Sequence, residues 1–355
     1  MPKTVWILGA GFSAPLGGPL LKDLFSKNFI SMAKATFETS SWITSRESVL
    51  VQDIWNLNEP EPGKSGYWRD AEDFLDRLDT AARKPQSPTA ALLRSLAASA
   101  TGGDWQLVPA LSGMARRLVA AQCWYFVLNV EHHVAERWQP YKYWASQLTK
   151  DDTIISFNYD RVLESVSENV HVLLPDEAWD QKRVLVLKLH GSVDWEISEE
   201  DGKVHRVDLK PAAVLETTSN LAIGTPGPKK QELTEGPFHP LWNQAKACLL
   251  AAERIVFLGF RFPPSDSIPR RQLLSAIGGN RDQQIQSVLI HTVLGDDVGS
   301  PDSRRLRHLL GAAMQPTGRQ PTERYPFNYS IMQHPFWCQD FLDLVWSAKL
   351  LDVRA

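Results

Sequence analysis

Short apolar runs rich in β-branched residues recur along this chain, and they constrain its fold more than any other feature. Most of them lack the alternation of apolar and polar residues that marks a strand with one face in water. Strands buried on both faces of a parallel sheet have this appearance. Helical patterns separate several of the runs, which predicts an α/β protein with a Rossmann-like open parallel sheet and helices on both faces. The runs cover residues 4–8, 153–157, 170–174, 184–189, 255–258 and 288–294.

The interval between the first two runs is too long for a single crossover helix. It extends from Pro19 to Asn158 and is mostly helical in pattern, with an amphipathic segment at 70–83 and one long helix expected over 110–138. We therefore expect a helical insertion, or cap, beside the sheet. The predicted organisation is a sheet domain of residues 1–30 and 150–300, a cap of residues 31–149 and a C-terminal extension of residues 301–355 that ends in a packing or oligomerisation helix.

Three stretches read as loops or linkers. Residues 59–66 form a turn-rich break inside the predicted cap, and a polar linker is expected after Gly299. Residues 221–238 are rich in proline, glycine and lysine, which predicts a long loop that is mobile over a cleft. Within it, Lys229 and Lys230 either touch a phosphate or a partner or are simply solvated.

Composition narrows the functional class. The 355-residue chain has a formal net charge of −3, so no strong positive field attracts nucleic acid. Its three cysteines, Cys123, Cys248 and Cys338, contain no CxxC zinc pair and lie among apolar residues, which predicts buried thiols, no metal site and a reducing cytoplasm. The N-terminus does not resemble a secretory signal, and no apolar run reaches the ~18 residues of a membrane span. We expect a soluble cytoplasmic protein.

A glycine-rich run, GAGFSAPLGGP, follows the first predicted strand directly. Glycines at such a strand end let the backbone approach a pyrophosphate and point N–H groups at it, as Gly9 and Gly11 are placed to do. Ser13 adds a hydroxyl, and Pro19 predicts the first turn of a helix. A tight structural turn explains the GxG pattern equally well, so the run alone leaves the choice open.

Polar residues follow three later strands at the end where an open parallel sheet binds its ligand. In IISFNYD, Asn158 and Asp160 are suited to grip a sugar and a carboxamide, although Asp160 can equally cap the next helix. In VLVLKLHG, His190 is a natural general base, because the ordinary pKa of histidine lies near neutrality. In ERIVFLGFRFPPSD, Gly259 permits close backbone approach, for instance to an adenosine, and Asp266 follows in the loop.

Taken in order, these four stretches resemble the sirtuin-like NAD-binding domain: GAGxS-x3-GxP, then S/T-x-N-x-D, K-x-HG, and GF/GY-x-x-P-x-x-D. The resemblance extends from Thr4 to about Leu294 and is greatest to the bacterial antiphage-defence NADase branch. Sirtuin deacetylases have Asp-Phe-Arg after the GxP, where this chain has Leu20-Leu21-Lys22, and they carry zinc cysteines for which this chain has no suitable pair. These departures argue against an acyl-lysine substrate.

The resemblance implies a role for each matching residue. Asn158 would lie against the nicotinamide ribose, and Asp160 would hold the carboxamide. His190 would act on the ribose hydroxyls or on an attacking water. Glu72 matches an acidic position on the cap helix of the family, with no chemical role assigned. The residues that would line the phosphates of NAD are Gly9, Ala10, Gly11 and Ser13.

The expected activity is that of an NAD+ glycohydrolase, with NAD as substrate, releasing nicotinamide and ADP-ribose. Members of this branch deplete NAD during antiphage defence and abortive infection, so the resemblance implies control by homo-oligomerisation or by a partner. Typical partners are a separately encoded HerA-type ATPase or a short Argonaute-like protein. Two alternatives stay open: a non-hydrolytic module that binds NAD or ADP-ribose in an assembly, and an NAD-dependent deacylase or ADP-ribosyltransferase.

Overall fold

The computed structural model describes most of the chain. The described residues are 3–20, 23–39, 45–58, 68–97, 106–133, 135–207, 214–215, 220–263, 267–283, 288–315 and 329–352; the side chains of 36–39, 45–46, 129–133, 135, 268–269 and 280–283 are outside the description. The predicted break at 59–66 and Asp266 therefore lie outside the described residues.

Within the described residues, ten strands form two sheets. In chain order the strands are β1 (Thr4–Leu8), β2 (Thr153–Ser156), β3 (Val170–Val172), β4 (Val184–Lys188), β5 (Gly191–Ile197), β6 (Val204–Arg206), β7 (Leu221–Ile223), β8 (Arg254–Leu258), β9 (Val288–Val293) and β10 (Tyr329–His334). Seven of them make a sheet of order β10-β9-β8-β1-β2-β4-β3 in which every neighbouring pair is parallel. Strands β6, β5 and β7 make a small antiparallel sheet.

The predicted open parallel sheet is confirmed. Every residue of β1, β2, β4 and β9 is buried, so helices and loops cover both faces of the sheet. This is why those strands lack alternation in the sequence. Strand β10 was not predicted. It lies at the edge of the sheet, and five of its six residues are only half-buried.

Helices occupy most of the chain between β1 and β2 and much of the remainder. The described helices are α1 (Ala10–Ser13), α2 (Lys27–Thr39), α3 (Ser45–Asn58), α4 (Ala71–Arg83), α5 (Pro88–Leu96), α6 (Leu107–His133), α7 (Ala135–Gln147), α8 (Val162–Val166), α9 (Pro228–Glu235), α10 (His239–Leu250), α11 (Ser267–Gln283), α12 (Pro301–Met314) and α13 (Cys338–Leu344). A short 3₁₀ turn, Ala14–Leu16, continues α1.

The helices before β2 divide between two cores. Buried residues of α2 to α6 form a core of their own, which β5 and β7 join through Val193 and Ile223. Helix α7 packs on the parallel sheet instead: the ring of Trp144 meets that of Trp6 edge-on, with 5.3 Å between centroids. The Tyr141 hydroxyl donates to the Phe12 carbonyl at 2.7 Å. The last helix before β2 therefore packs against the parallel sheet and does not belong to the core that α2 to α6 share.

The structure bears on two predictions about helices before β2. The stretch expected to be one helix over 110–138 contains α6 up to His133 and α7 from Ala135, and residue 134 between them lies outside the described residues. The second prediction was wrong. No helix begins at Pro19: residues 19–20 and 23–26 are not α-helical, and α2 begins at Lys27. Phe25 has a φ of 61°, a left-handed conformation that ends any helical run.

Three predictions after β4 also needed correction. Residues 221–238 are not a long loop, since they contain β7 and α9, and Pro228 begins α9 in the position where its missing N–H costs nothing. The polar linker after Gly299 is helix α12, whose N-terminus is capped by the Ser300 hydroxyl accepting from Ser303 N–H at 3.2 Å. The final helix, expected over 336–351, is shorter: α13 covers Cys338–Leu344, and turns follow.

A buried histidine pair joins the last two strands of the parallel sheet. His291 Nδ1 on β9 lies 2.9 Å from His334 Nε2 on β10, with the two rings stacked. Burial lowers the pKa of both side chains, that of His291 to about 3. A hydrogen bond between two imidazoles needs one ring nitrogen free of a proton, so a doubly protonated pair would repel.

The pair should make the protein lose stability in mild acid. An unfolded chain protonates His291 near pH 6.5, whereas the folded protein resists until about pH 3, so the free energy of unfolding falls as the pH drops through this window. We expect His291 alone to cost about 2 kcal/mol between pH 7 and pH 5. Urea unfolding at both pH values measures the loss, and the variant His291→Asn is the reference. Equal losses in the two proteins would contradict the prediction.

Candidate functional site

The order in which the chain adds strands to the parallel sheet reverses between β1 and β8. From β1 the chain continues to β2 on one side, and from β8 it continues to β9 on the other. Loops that leave neighbouring strands in opposite directions open a crevice at the carboxyl ends of those strands. The site residues predicted from the sequence follow the carboxyl ends of β1, β2, β4 and β8. The fold therefore brings them to one edge of the sheet.

The glycines after β1 and β8 pack against one another. Gly9 N–H donates to the Leu258 carbonyl at 3.0 Å, and Gly11 N–H donates to the Gly259 carbonyl at 3.2 Å. A Cβ on Gly9 would lie 2.6 Å from the Gly259 oxygen, and one on Gly11 would lie 2.7 Å from the Gly259 Cα. These glycines are thus required by a contact between two loops, which also uses both of their N–H groups. Ala10, between them, is exposed.

Ser13, Asn158 and Asp160 form one buried hydrogen-bond network. The Asn158 amide donates to the Ser13 hydroxyl at 3.1 Å and to the Gly9 carbonyl at 3.0 Å. The Ser13 hydroxyl in turn donates to Asp160 Oδ2 at 2.7 Å. The network joins the turn after β1 to the turn after β2 and holds the amide of Asn158 in one orientation.

Asp160 has two functions in this network. Besides accepting from Ser13, its carboxylate accepts from Val162 N–H at 3.0 Å, so it also satisfies a backbone donor at the start of α8. Burial raises the pKa of Asp160, against the opposing effects of Lys188, the Ser13 hydroxyl and the Val162 N–H. The predicted contact with the start of the next helix is therefore present, and the predicted grip on a ligand stays a prediction.

Lys188, the last residue of β4, begins the K-x-HG motif but was given no role from the sequence. Its side chain is 1 % exposed, and its ammonium donates to the Asp160 carbonyl at 2.6 Å, to Glu164 Oε1 at 2.8 Å and to the Ser192 hydroxyl at 2.8 Å. It thereby ties the turn after β2 to the chain that follows β4. The available signal was a lysine ending an otherwise apolar run, two residues before His190.

His190 lies between β4 and β5 and is buried. Its ring meets that of Phe157 edge-on, with 4.8 Å between centroids, and lies 6.3 Å from that of Tyr159. These two aromatic residues flank Asn158 in the sequence, so His190 packs against the turn that carries the asparagine. Phe157 also stacks on Phe260, with 4.0 Å between centroids, which extends the aromatic contacts beside His190.

The remaining candidate residues are Glu72 and the three cysteines. Glu72 is buried on α4, one of the helices that share the second core. Cys123 and Cys338 are buried as predicted, and burial raises the pKa of both thiols, whereas Cys248 is only half-buried. Among the described residues, no group of three or more His, Cys, Asp or Glu side chains is placed to hold a metal ion.

Fold and site together define an α/β protein with a buried polar network at the carboxyl edge of a parallel sheet. The sequence matches no known protein-family model, and its comparison with curated proteins gave no significant match. Within the described part of the chain, no helix is long and apolar enough to cross a membrane.

Proposed function

We propose that this protein hydrolyses NAD+ to nicotinamide and ADP-ribose. The observation that carries the proposal is the network of Ser13, Asn158 and Asp160, packed beside His190 at the carboxyl ends of β1, β2 and β4. An amide, a hydroxyl, a carboxyl group and an imidazole at a sheet crevice suit the binding and hydrolysis of a nucleotide. The resemblance of the four sequence stretches to sirtuin-like NAD-binding domains points to NAD as that nucleotide.

The reaction replaces the bond between nicotinamide and C1′ of its ribose with a bond from C1′ to a water oxygen. Nicotinamide leaves with the bonding electron pair, which neutralises its pyridinium charge, so its expulsion needs no acid. In this proposal Asn158 orients the ribose and the water, and His190 polarises a ribose hydroxyl or accepts the proton of the water. Asp160 positions Ser13 and the carboxamide. The phosphates approach at Ala10, because Gly9 and Gly11 N–H are already engaged.

In a cell, such an activity would deplete NAD and stop metabolism. We therefore infer an effector of antiphage defence that acts in the cytoplasm and is held inactive until an infection signal arrives. Control by assembly of several copies, or by a separately encoded partner such as a HerA-type ATPase or a short Argonaute-like protein, fits this role.

Chromatography of nicotinamide and ADP-ribose released from NAD+ tests the proposal. We expect release by the wild type and a loss of roughly 10²–10⁴-fold in turnover for His190→Ala, with NAD binding retained, because a positioned general base contributes about that much. Asn158→Ala should also lose turnover. The matched control is His205→Ala, which removes an exposed histidine on β6. Unchanged turnover in His190→Ala would refute the assigned role.

A second candidate, a non-hydrolytic module that binds NAD or ADP-ribose, is favoured by one observation. The amide nitrogen of Asn158 already donates to the Gly9 carbonyl and the Ser13 hydroxyl, so it serves contacts within the protein. Tight NAD binding without product, with and without a candidate partner such as a HerA-type ATPase, would assign this function. Formation of acetyl-ADP-ribose from an acetylated peptide would instead assign a deacylase.

A further inference from the structure

A cluster of basic side chains lies where α4, α6 and α9 meet. This basic cluster consists of Arg83, Arg116 and Lys229, and the carboxylate of Asp79 lies at its centre, 5 % exposed. Arg116 Nη2 is 3.3 Å from Asp79 Oδ1, and Arg83 Nε is 3.9 Å from Asp79 Oδ2. The backbone N–H of Lys229 donates to Asp79 Oδ2 at 2.7 Å, so this carboxylate is also occupied at the start of α9.

The basic cluster has three cationic side chains, and the carboxylates paired with it are those of Asp79 and Glu232. Arg83 has a second ion-pair partner in Glu232, and Arg116 shares Asp79 with Arg83. The next carboxyl group on α4 is that of Asp76, whose pKa is raised by partial burial and by the negative charges of Asp73 and Asp79.

Two donors of the basic cluster lack an acceptor within the described part of the chain. Arg116 Nε is buried and makes no hydrogen bond there. The half-buried ammonium of Lys229 likewise has no ion pair or hydrogen bond with any described residue. Burial lowers the pKa of Lys229, and the positive charges of Arg116 and Arg83 lower it further. Buried cationic donors without acceptors are costly, so an anion bound here would relieve both.

We propose that the basic cluster binds the phosphate group of a small phosphorylated ligand. Guanidinium and ammonium groups are those that proteins use to hold phosphate, since one offers a planar fork and the other a compact charge. Here Arg83, Arg116 and Lys229 bring both kinds of group to elements that meet at Asp79. The proposal does not depend on NAD hydrolysis, because none of the three basic residues belongs to the network around Asn158. A monovalent carboxylate would neutralise less of the excess charge.

The basic cluster adjoins the candidate NAD site through Tyr159. The phenol of Tyr159 lies close enough to Arg116 to raise the pKa of that guanidinium, although burial lowers it more. The same hydroxyl donates to the Gly224 carbonyl at 2.8 Å, and Gly224 N–H donates to the His190 carbonyl at 2.8 Å. A phosphate at the basic cluster would thus lie beside the backbone that positions both Asn158 and His190.

Calorimetric titration with inorganic pyrophosphate at low ionic strength tests the site. We expect the wild type to bind and Lys229→Gln to bind at least about tenfold more weakly, because a hydrogen bond to a charged group contributes about that factor. This variant keeps the backbone N–H that Asp79 accepts. Lys182→Gln is the matched control, since it removes the same charge from an exposed turn and should leave the affinity unchanged.

Absence of pyrophosphate binding to the wild type, or equal affinity in Lys229→Gln and the wild type, would overturn the proposal. The second result would place the anion elsewhere, for instance at the loop after β1. If circular dichroism shows that Lys229→Gln does not fold, Arg83→Gln takes its place with the same expected loss. Titrations of the wild type with ADP and with ribose 5-phosphate then distinguish a nucleotide from a sugar phosphate as the natural ligand.

Discussion

Alanine in place of Gly191 should leave almost no folded protein. Gly191 begins β5 with a φ of 84°, and an added Cβ would lie 1.8 Å from the Ala222 carbonyl oxygen and 2.9 Å from its carbon. Those atoms belong to the backbone of β7, which pairs with β5, so they can move away only if the small sheet opens. We expect a loss of at least about 4 kcal/mol, which is most of the stability of many domains.

Gly202→Ala separates the two causes of this loss. Gly202 also has a left-handed φ, of 69°, but no atom lies within 4 Å of the position that its Cβ would occupy. This variant should therefore cost only the roughly 1–2 kcal/mol of the left-handed conformation. Urea unfolding and the yield of soluble protein compare the two variants. Similar stabilities for Gly191→Ala and Gly202→Ala would show that the contact with Ala222 is not decisive.

Lys188→Met should have the second largest effect. Methionine matches the length of the lysine stem but removes three hydrogen bonds, to the Asp160 carbonyl, to Glu164 and to Ser192. It also leaves the carboxylate of Glu164, only 19 % exposed, without the cation that neutralises it. Removal of one partner from a buried ion pair costs about 3–5 kcal/mol. We expect a loss of this size in the free energy of unfolding, together with lower affinity for NAD+.

A double-mutant cycle with Glu164→Gln tests the cause. If the unpaired carboxylate accounts for the loss, the double variant Lys188→Met/Glu164→Gln should recover about 1–2 kcal/mol relative to Lys188→Met. The Asp160 carbonyl stays without its donor in both variants, so affinity for NAD+ should not recover. A double variant no more stable than Lys188→Met would contradict the role given to the ion pair.

The parallel sheet was predictable because its strands are buried on both faces, and burial of that kind leaves a local apolar run. Strands β5 to β7 carried no such signal: β5 contains Asp194 and Glu196, and only its packing against β7 and α6 makes it a strand. Helix α9 was hidden for a similar reason. Its sequence, PKKQELTE, has no apolar stripe, and Asp79 on a distant helix accepts the N–H of Lys229 in its first turn.

The sequence predicted most residues of the candidate site but not the contacts that they make. Asn158, Asp160 and His190 stand out because they are polar residues that follow apolar strands, which is a local property. Lys188 did not, since its three acceptors lie in the turn after β2, on α8 and on β5, and become neighbours only when β2 and β4 pair.

The order of the residues by itself determined where six of the seven parallel strands lie and which glycines and polar side chains follow them, because an apolar run and a turn depend on neighbouring residues. Only the tertiary structure decided what those groups touch. Ser13 and Asp160 are 147 residues apart in the chain, yet they share a hydrogen bond of 2.7 Å. The N–H groups of Gly9 and Gly11 meet the loop after β8, and Arg83, Arg116 and Lys229 gather around Asp79. Such contacts depend on how separate elements pack, which no local pattern records.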